Sequence, residues 1–345
     1  MKLRPVWQLT RARLRELSRE PGTLFWAFGF PVLLTVGLGL AFNGGPQPAA
    51  VGVLEGTPAD LPLRLAAAHF KVARLDPAVA RAQLRAGKVA VIVAPDPDAG
   101  PQAIAYVFDF QRPESRAARD SVDEIVQRAA GRRDPVPARD RLVTDPGARY
   151  VDFLVPGLVG MNVMSGSLWA IGWAIVNLRV RGLTKRLLAT PVGRADVLAS
   201  LGLARLVVLP FEATSLLVFA RVTFGIPFNG SLALVALLAV AGCLSFSGLA
   251  VLVASRAQNV ETVTGLINAV VIPMFVMSGV FFPSTRFPEQ LQPVISLLPL
   301  TALNDALRKV MLDGAGLAAC APAFGILAVW GAVAFAWGLR RFRWT

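Results

Sequence analysis

Six long apolar stretches, at 23–42, 150–178, 197–224, 231–254, 260–282 and 316–338, constrain what this chain can fold into more than any other feature. A helix of about 20 apolar residues crosses the hydrocarbon core of a bilayer. In lipid every backbone polar group must be satisfied within the segment, so runs of this length become helices. Charge gathers instead in residues 1–20, 43–149 and 179–196. Only 17% of the chain is charged, against about a quarter in an ordinary soluble domain. The predicted fold class is an α-helical polytopic membrane protein: six transmembrane helices with an inserted small α/β extracytoplasmic domain.

Residues 1–22 read as a cytoplasmic interfacial amphipathic helix. Val6, Leu9 and Leu17 recur near helical spacing between arginines, and Trp7 suits the membrane–water boundary. Pro21-Gly22 ends it, and 23–42 is the first transmembrane helix, with Pro31 placed to kink it. A secretory signal competes for this region. The apolar run exceeds the usual signal core and no A-x-A site follows, so an uncleaved anchor is expected.

Residues 43–149 are polar and mixed. Asn43 to Pro46 opens them as a linker. Ala50 to Gly56, Lys88 to Pro95 and Ala103 to Phe110 read as strands, and 61–70, 78–86 and 113–130 as helices. That alternation predicts a small α/β domain on one sheet. Residues 150–345 hold helices two to six. Within them, 179–196 is a basic segment between spans. Residues 283–314 carry Pro283, Pro288, Pro293 and Pro299, too interrupted for a span and too apolar for a free loop. They are expected to form a re-entrant or interfacial hairpin on the outer side, covered by protein.

Charge sets the orientation. The chain carries a net +13, much of it at membrane edges: near the start, in the 179–194 loop, and at Arg340, Arg341 and Arg343. Short loops rich in Lys and Arg stay in the cytoplasm, so both termini are predicted there and 43–149 outside. The outer domain's 15 Lys/Arg against 13 Asp/Glu do not oppose this, because long domains cross largely regardless of charge. Basic clusters beside spans read as topology signals and anionic-lipid contacts, so no nucleic-acid partner is expected. Cys243 and Cys320 sit in apolar runs, and His69 has no Cys or His near it in sequence. Neither a disulfide framework nor a metal site is predicted.

Four features carry a family resemblance: the basic helix before the first span; a domain opening with AVGVLEG and containing AQLRAGKVAVIVAPD; the basic stretch containing RLLATPVGR; and SGVFFP followed by LQPVISLLPLTALNDALRKVMLDG. With these, nearly the whole chain resembles an ABC type-2 transporter permease, of the subgroup with a large extracytoplasmic domain after the first membrane helix. The resemblance implies a permease subunit of an ATP-driven exporter in the bacterial inner (plasma) membrane. Two chains would pair, as a homodimer, around a central path, among membrane lipids. ATP and magnesium would be held by a separate ABC ATPase, since this chain has no G-x-x-x-x-G-K-[ST] loop and no cofactor of its own. The chain itself is then not an enzyme. A coupling helix at 179–196 would dock on that ATPase through Arg179, Arg181, Gly182, Arg186, Leu187, Leu188, Thr190 and Pro191.

Glu212, Asn268, Phe275, Phe281 and Phe282 are candidates for the translocation path. Arg205 and Glu212 lie seven residues apart on one helix face. They read first as an internal ion pair and second as a pair lining a substrate path. Asn162, Asn259, Glu261 and Asn268 suit hydrogen bonds between helices. Trp169 and Trp173 read as interface and packing aromatics, and Asp305, Arg308 and Lys309 as solvated. The apolar helices favour a hydrophobic or amphipathic substrate, lipid-like or drug-like. Two other classes compete. An intramembrane hydrolase needs a catalytic constellation in the bilayer, and no span holds a His. A proton-coupled secondary transporter usually shows repeats and several mid-membrane acids, and Glu212 with Glu261 are few.

Overall fold

A computed structural model describes residues 3–42, 48–96, 98, 100, 103–132, 149–190 and 192–342. The described residues form two compact units, 48–132 and the remainder. The expected linker at 43–46 lies outside them, as do Lys2, Pro191 and Arg343.

The smaller unit is a four-stranded sheet. Its strands are β1 (Ala50–Val53), β2 (Lys71–Arg74), β3 (Val91–Pro95) and β4 (Ile104–Phe108), in the order β2-β1-β3-β4. β1 runs parallel to both neighbours and β4 is antiparallel to β3. Between β1 and β2 lies the short helix α4 (Leu61–Ala67); α5 (Pro77–Arg85) leads into β3, and α6 (Pro113–Ala129) follows β4. Alternation along the strands decides which helix covers which face. Val51, Val53, Val91 and Val93 pack with Leu61, Leu65 and Val122 from α4 and α6. Ile92, on the opposite face, packs with Ala80 and Leu84 of α5. Each such buried aliphatic side chain contributes about 1.5–3 kcal/mol. Asp76 caps α5, accepting from the Ala78 N–H at 3.0 Å. Burial, reinforced by Asp123, pushes the Tyr106 phenol above its usual range. Strand β2 is an addition to the sequence reading: it is four residues long and half exposed, and shows no clear alternation.

The larger unit is helical. α1 (Leu3–Ser18) buries Val6 and Thr10 and exposes Trp7. Thr10 Oγ1 donates to the carbonyls of Val6 and Ser200. Among the described residues, six helices are long and apolar enough to cross a membrane: Pro21–Ala41, Tyr150–Val180, Ala195–Phe224, Leu232–Ala254, Val260–Met277 and Leu317–Arg341. The first comprises α2 (Pro21–Leu24), a π-helical turn (Phe25–Gly29) and α3 (Phe30–Phe42). The others belong to α7 (Tyr150–Val180), α9 (Arg194–Phe224), α10 (Leu232–Ala254), α11 (Val260–Met277) and α14 (Leu317–Arg341), with the short α8 (Leu183–Leu188) between α7 and α9. α7 and α10 are the inner helices, and the first span, α11 and α14 leave most of their surface uncovered within the chain. α10 and α14 approach closely at glycines. A Cβ on Gly248 would meet the Gly331 carbonyl oxygen at 2.5 Å, and one on Gly331 would meet Ser245 Cα at 3.0 Å. Small residues at such crossings let van der Waals contact hold helices together where lipid offers no hydrophobic drive.

Two expectations need correction. The fifth helix ends at Met277 instead of 282, because Gly279 takes φ +69° and breaks it. Residues 283–314 are more regular than their prolines suggested. They hold α12 (Gln292–Ser296) and α13 (Pro299–Met311). Pro293 and Pro299 fall in first turns, where a missing N–H costs nothing. α13 is largely buried and packs with α7, α10 and α14.

Candidate functional site

Three helices of the larger unit each turn one stripe toward a shared cavity of about 920 Å³. α7 supplies Asn162, Ser165, Gly166, Trp169, Ala170 and Trp173; α9 supplies Leu201, Ala204, Arg205, Val208, Phe211 and Glu212. α11 adds Asn268, Val271, Ile272 and Phe275. All three sets step by three and one, the spacing of a single helix face. The first span closes another side with Trp26 and Phe30, and α1 reaches the rim with Arg13 and Leu17. Arg13 is paired there with Glu16 at 2.5 Å.

The polar centre is the Arg205–Glu212 pair, 3% and 4% exposed. Arg205 Nη1 donates to Glu212 Oε1 at 2.7 Å, Nε to Ser167 Oγ at 3.4 Å and Nη2 to the Asn162 carbonyl at 3.4 Å. Gly166 makes room for it: a Cβ there would meet Nη2 at 2.3 Å. Two buried charges repay their desolvation only when the geometry is good and the remaining hydrogen-bond capacity is used. The guanidinium meets it in part, with three of its five N–H groups on protein oxygens. Glu212 Oε2 lies 2.6 Å from the same Nη1 but receives no hydrogen bond among the described residues. Pro31 explains a second contact. It has no N–H to offer the carbonyl four residues back, and Asn162 Nδ2 donates to that carbonyl, on Ala27, at 3.3 Å.

Of the five path candidates, Glu212, Asn268 and Phe275 line this cavity. Phe281 and Phe282 do not: the Phe281 carbonyl accepts from Tyr150 Oη at 2.8 Å, and Phe282 meets Phe287 at a tilt with centroids 5.8 Å apart. Trp169 and Trp173, read as packing aromatics, border the cavity, as do Trp26 and Phe211, which the sequence reading did not single out. The stripe spacing was the available signal.

Arg308 also departs from its solvated reading. Its side chain is 13% exposed, its guanidinium lies 3.8 Å over the Phe153 ring, and it donates to the carbonyls of Phe153 and Gly279. Asn304 Nδ2 donates to the Ser278 carbonyl at 2.9 Å beside it. This cluster pins the break after α11 to α7 and α13.

The basic segment divides by side. α7 ends because Gly182 takes φ +66°, and α9 begins at Gly193, whose N–H is accepted by Asp196 Oδ2 at 3.1 Å. Arg181, Arg186 and Thr190 are exposed; Thr190 Oγ1 donates to the Leu187 carbonyl at 2.6 Å. Gly182 is half-buried. Leu187 turns inward, to a small apolar niche with Ile175, Leu178 and Leu201. Arg179 is also less exposed than Arg181 and Arg186. It is half-buried and donates to the carbonyls of Ala254, Ser255 and Ala257, with Phe342 5.5 Å beneath it. The end of α7 thereby grips the loop between α10 and α11. The Leu188 side chain and Pro191 lie outside the described residues.

Comparison with known proteins adds the family. The chain is 31% identical over 175 residues to ABC transporter G family member 20 of Dictyostelium discoideum, covering 50% of this chain and 24% of that protein. It is 26% identical over 187 residues to the probable multidrug ABC transporter permease YbhR of Escherichia coli (strain K12), covering 53% of this chain and 51% of that one. It is also 26% identical over 186 residues to the linearmycin resistance permease protein LnrN of Bacillus subtilis (strain 168), with 53% and 48% covered. The match thus spans about half the length of the two bacterial relatives and a quarter of the third. The family model described as ABC-2 type transporter matches residues 105–312, which takes in α7 to α13 and so most of the cavity wall. By that match, the chain belongs to the ABC-2 type transporter family.

Proposed function

We propose that this chain is the membrane-spanning permease subunit of an ATP-driven ABC exporter, moving a hydrophobic or amphipathic substrate out of the cytoplasm or inner leaflet of a bacterial inner membrane. The observation that carries the reading is the cavity. It is large, mostly apolar and aromatic, and holds one buried ion pair. Ligand sites of this kind combine an apolar lining with a few placed polar groups. The names of the bacterial relatives, a probable multidrug permease and a linearmycin resistance permease, support a drug-like substrate.

ATP hydrolysis, with its magnesium, belongs to a separate ATPase subunit in this reading. The exposed basic face of α8 is its docking surface, cytoplasmic like both termini. Arg181 and Arg186 would meet the ATPase directly. Leu187 and Arg179 would act behind them, passing displacement of α8 into α7 and the α10–α11 loop. Short packed helices move as rigid bodies in such transitions. A second copy, pairing as a homodimer across the sparsely covered first span and α11, would close the cavity into a path.

The test is the double variant Arg181→Glu/Arg186→Glu. Both side chains are exposed, so the membrane unit keeps its thermal stability. Co-purification with the ATPase falls by at least about tenfold, as reversed charges at an interface do. Wild-type yield of the complex with normal transport would overturn the docking assignment.

A further inference from the structure

We propose that the cavity beside Glu212 binds an amphipathic organic cation, with a flat apolar body among its aromatic rings and a protonated amine on the Glu212 carboxylate. The proposal rests on the permease reading and narrows its substrate class.

The polar groups at the cavity wall are only partly committed. Arg205 places three of its five N–H groups on protein oxygens. Arg13, at the rim, is engaged with Glu16. Both guanidiniums keep further N–H groups, so hydrogen-bond capacity alone does not exclude an anion. Glu212 keeps capacity of the other kind. An ionised carboxylate offers about four acceptor directions, and here only Oε1 receives a hydrogen bond among the described residues. The half-buried Asn268 amide, on the same wall, makes no hydrogen bond among the described residues, and its oxygen can add a second acceptor. These two oxygens suit a donor.

The rings point the same way. Trp26, Trp169, Trp173, Phe211 and Phe275 border the one cavity. Aromatic faces carry partial negative charge and attract cations, tryptophan most strongly. They also accept a flat apolar body by stacking. The volume of about 920 Å³ lies within the roughly 300–1,000 Å³ usual for small-molecule sites. Arg205 keeps the carboxylate neutralised when the cavity is empty, so the cation shares the carboxylate and does not replace its partner.

The full chain, reconstituted in nanodiscs of phosphatidylcholine, provides the test. Propranolol, a protonated amine on a naphthyl ether, is titrated against tryptophan fluorescence, with the carboxylate drug naproxen as the anionic counterpart. Propranolol should bind saturably and naproxen should not. Glu212→Gln should weaken propranolol by about tenfold or more, the scale of a lost hydrogen bond to a charged group. That change leaves Arg205 without its counter-charge, so Ala170→Phe, which narrows the cavity and leaves both charges in place, is tested beside it and should abolish binding. Equal binding of naproxen, or unchanged propranolol affinity in Ala170→Phe or in folded Glu212→Gln, would overturn the proposal. ATPase co-purification is scored on the same preparations. An ATPase partner without propranolol binding would sink this inference and leave the permease reading standing. Propranolol binding without a partner would do the reverse.

Discussion

At the hairpin of α12 and α13, Arg308 gives its N–H groups to backbone carbonyls and lies on the Phe153 ring. In the cavity wall, Arg205 gives its strongest bond to a carboxylate that is itself buried. Arg205 is the more deeply buried, and the two differ in what holds them: beside its carbonyls, Arg308 has only a long 3.4 Å bond to the exposed carboxylate of Asp305. Carbonyls are fixed to helix ends, so the Arg308 contacts lock one arrangement of the chain. A carboxylate brings its own charge and more acceptor capacity than one guanidinium uses. The first arrangement fastens a fold, and the second leaves chemistry available to whatever enters the cavity.

That contrast orders a set of substitutions, each read by thermal unfolding of the detergent-solubilised chain. Arg205→Ala should be the most damaging, at about 3–5 kcal/mol, because it strands a buried carboxylate. Adding Glu212→Leu to Arg205→Met should restore most of that stability while abolishing transport, since an apolar pair can replace a buried ion pair. Arg308→Ala should cost less, about 1.5–3 kcal/mol, the range for hydrogen bonds to a charged group. Tyr150→Phe, which removes the bond to the Phe281 carbonyl, should cost about 1 kcal/mol. If Arg308→Ala proved more damaging than Arg205→Ala, the distinction between the two arginines would fail. A double variant that regained stability and still transported would remove Glu212 from the path.

The two regions also differ in how far sequence exposes them. The spans were plain, since twenty apolar residues have few alternatives in a bilayer. The cavity was half legible. Arg205 and Glu212 announce a pair by charge and spacing. Trp169 and Trp173 show their facing only through spacing, sharing the α7 stripe that carries Asn162, Ser165, Gly166 and Ala170. The hairpin was the least legible. Pro293 and Pro299 look like breaks and are helix starts, and Arg308 looks solvated because its carbonyl partners come from residues distant in sequence. Arg179 misled for the same reason: its partners, near 254–257, are tertiary. Strand β2 was missed because four half-exposed edge residues carry no period.

The central claim is that an external ATPase drives this permease. The most direct measurement is affinity purification of the tagged chain from its native cells in mild detergent, with partners identified by mass spectrometry. The account predicts a stoichiometric soluble ATPase carrying a G-x-x-x-x-G-K-[ST] phosphate loop, lost when Arg181 and Arg186 are both reversed. A preparation without any such partner, repeated after crosslinking, would contradict it and turn attention to proton coupling through Glu212.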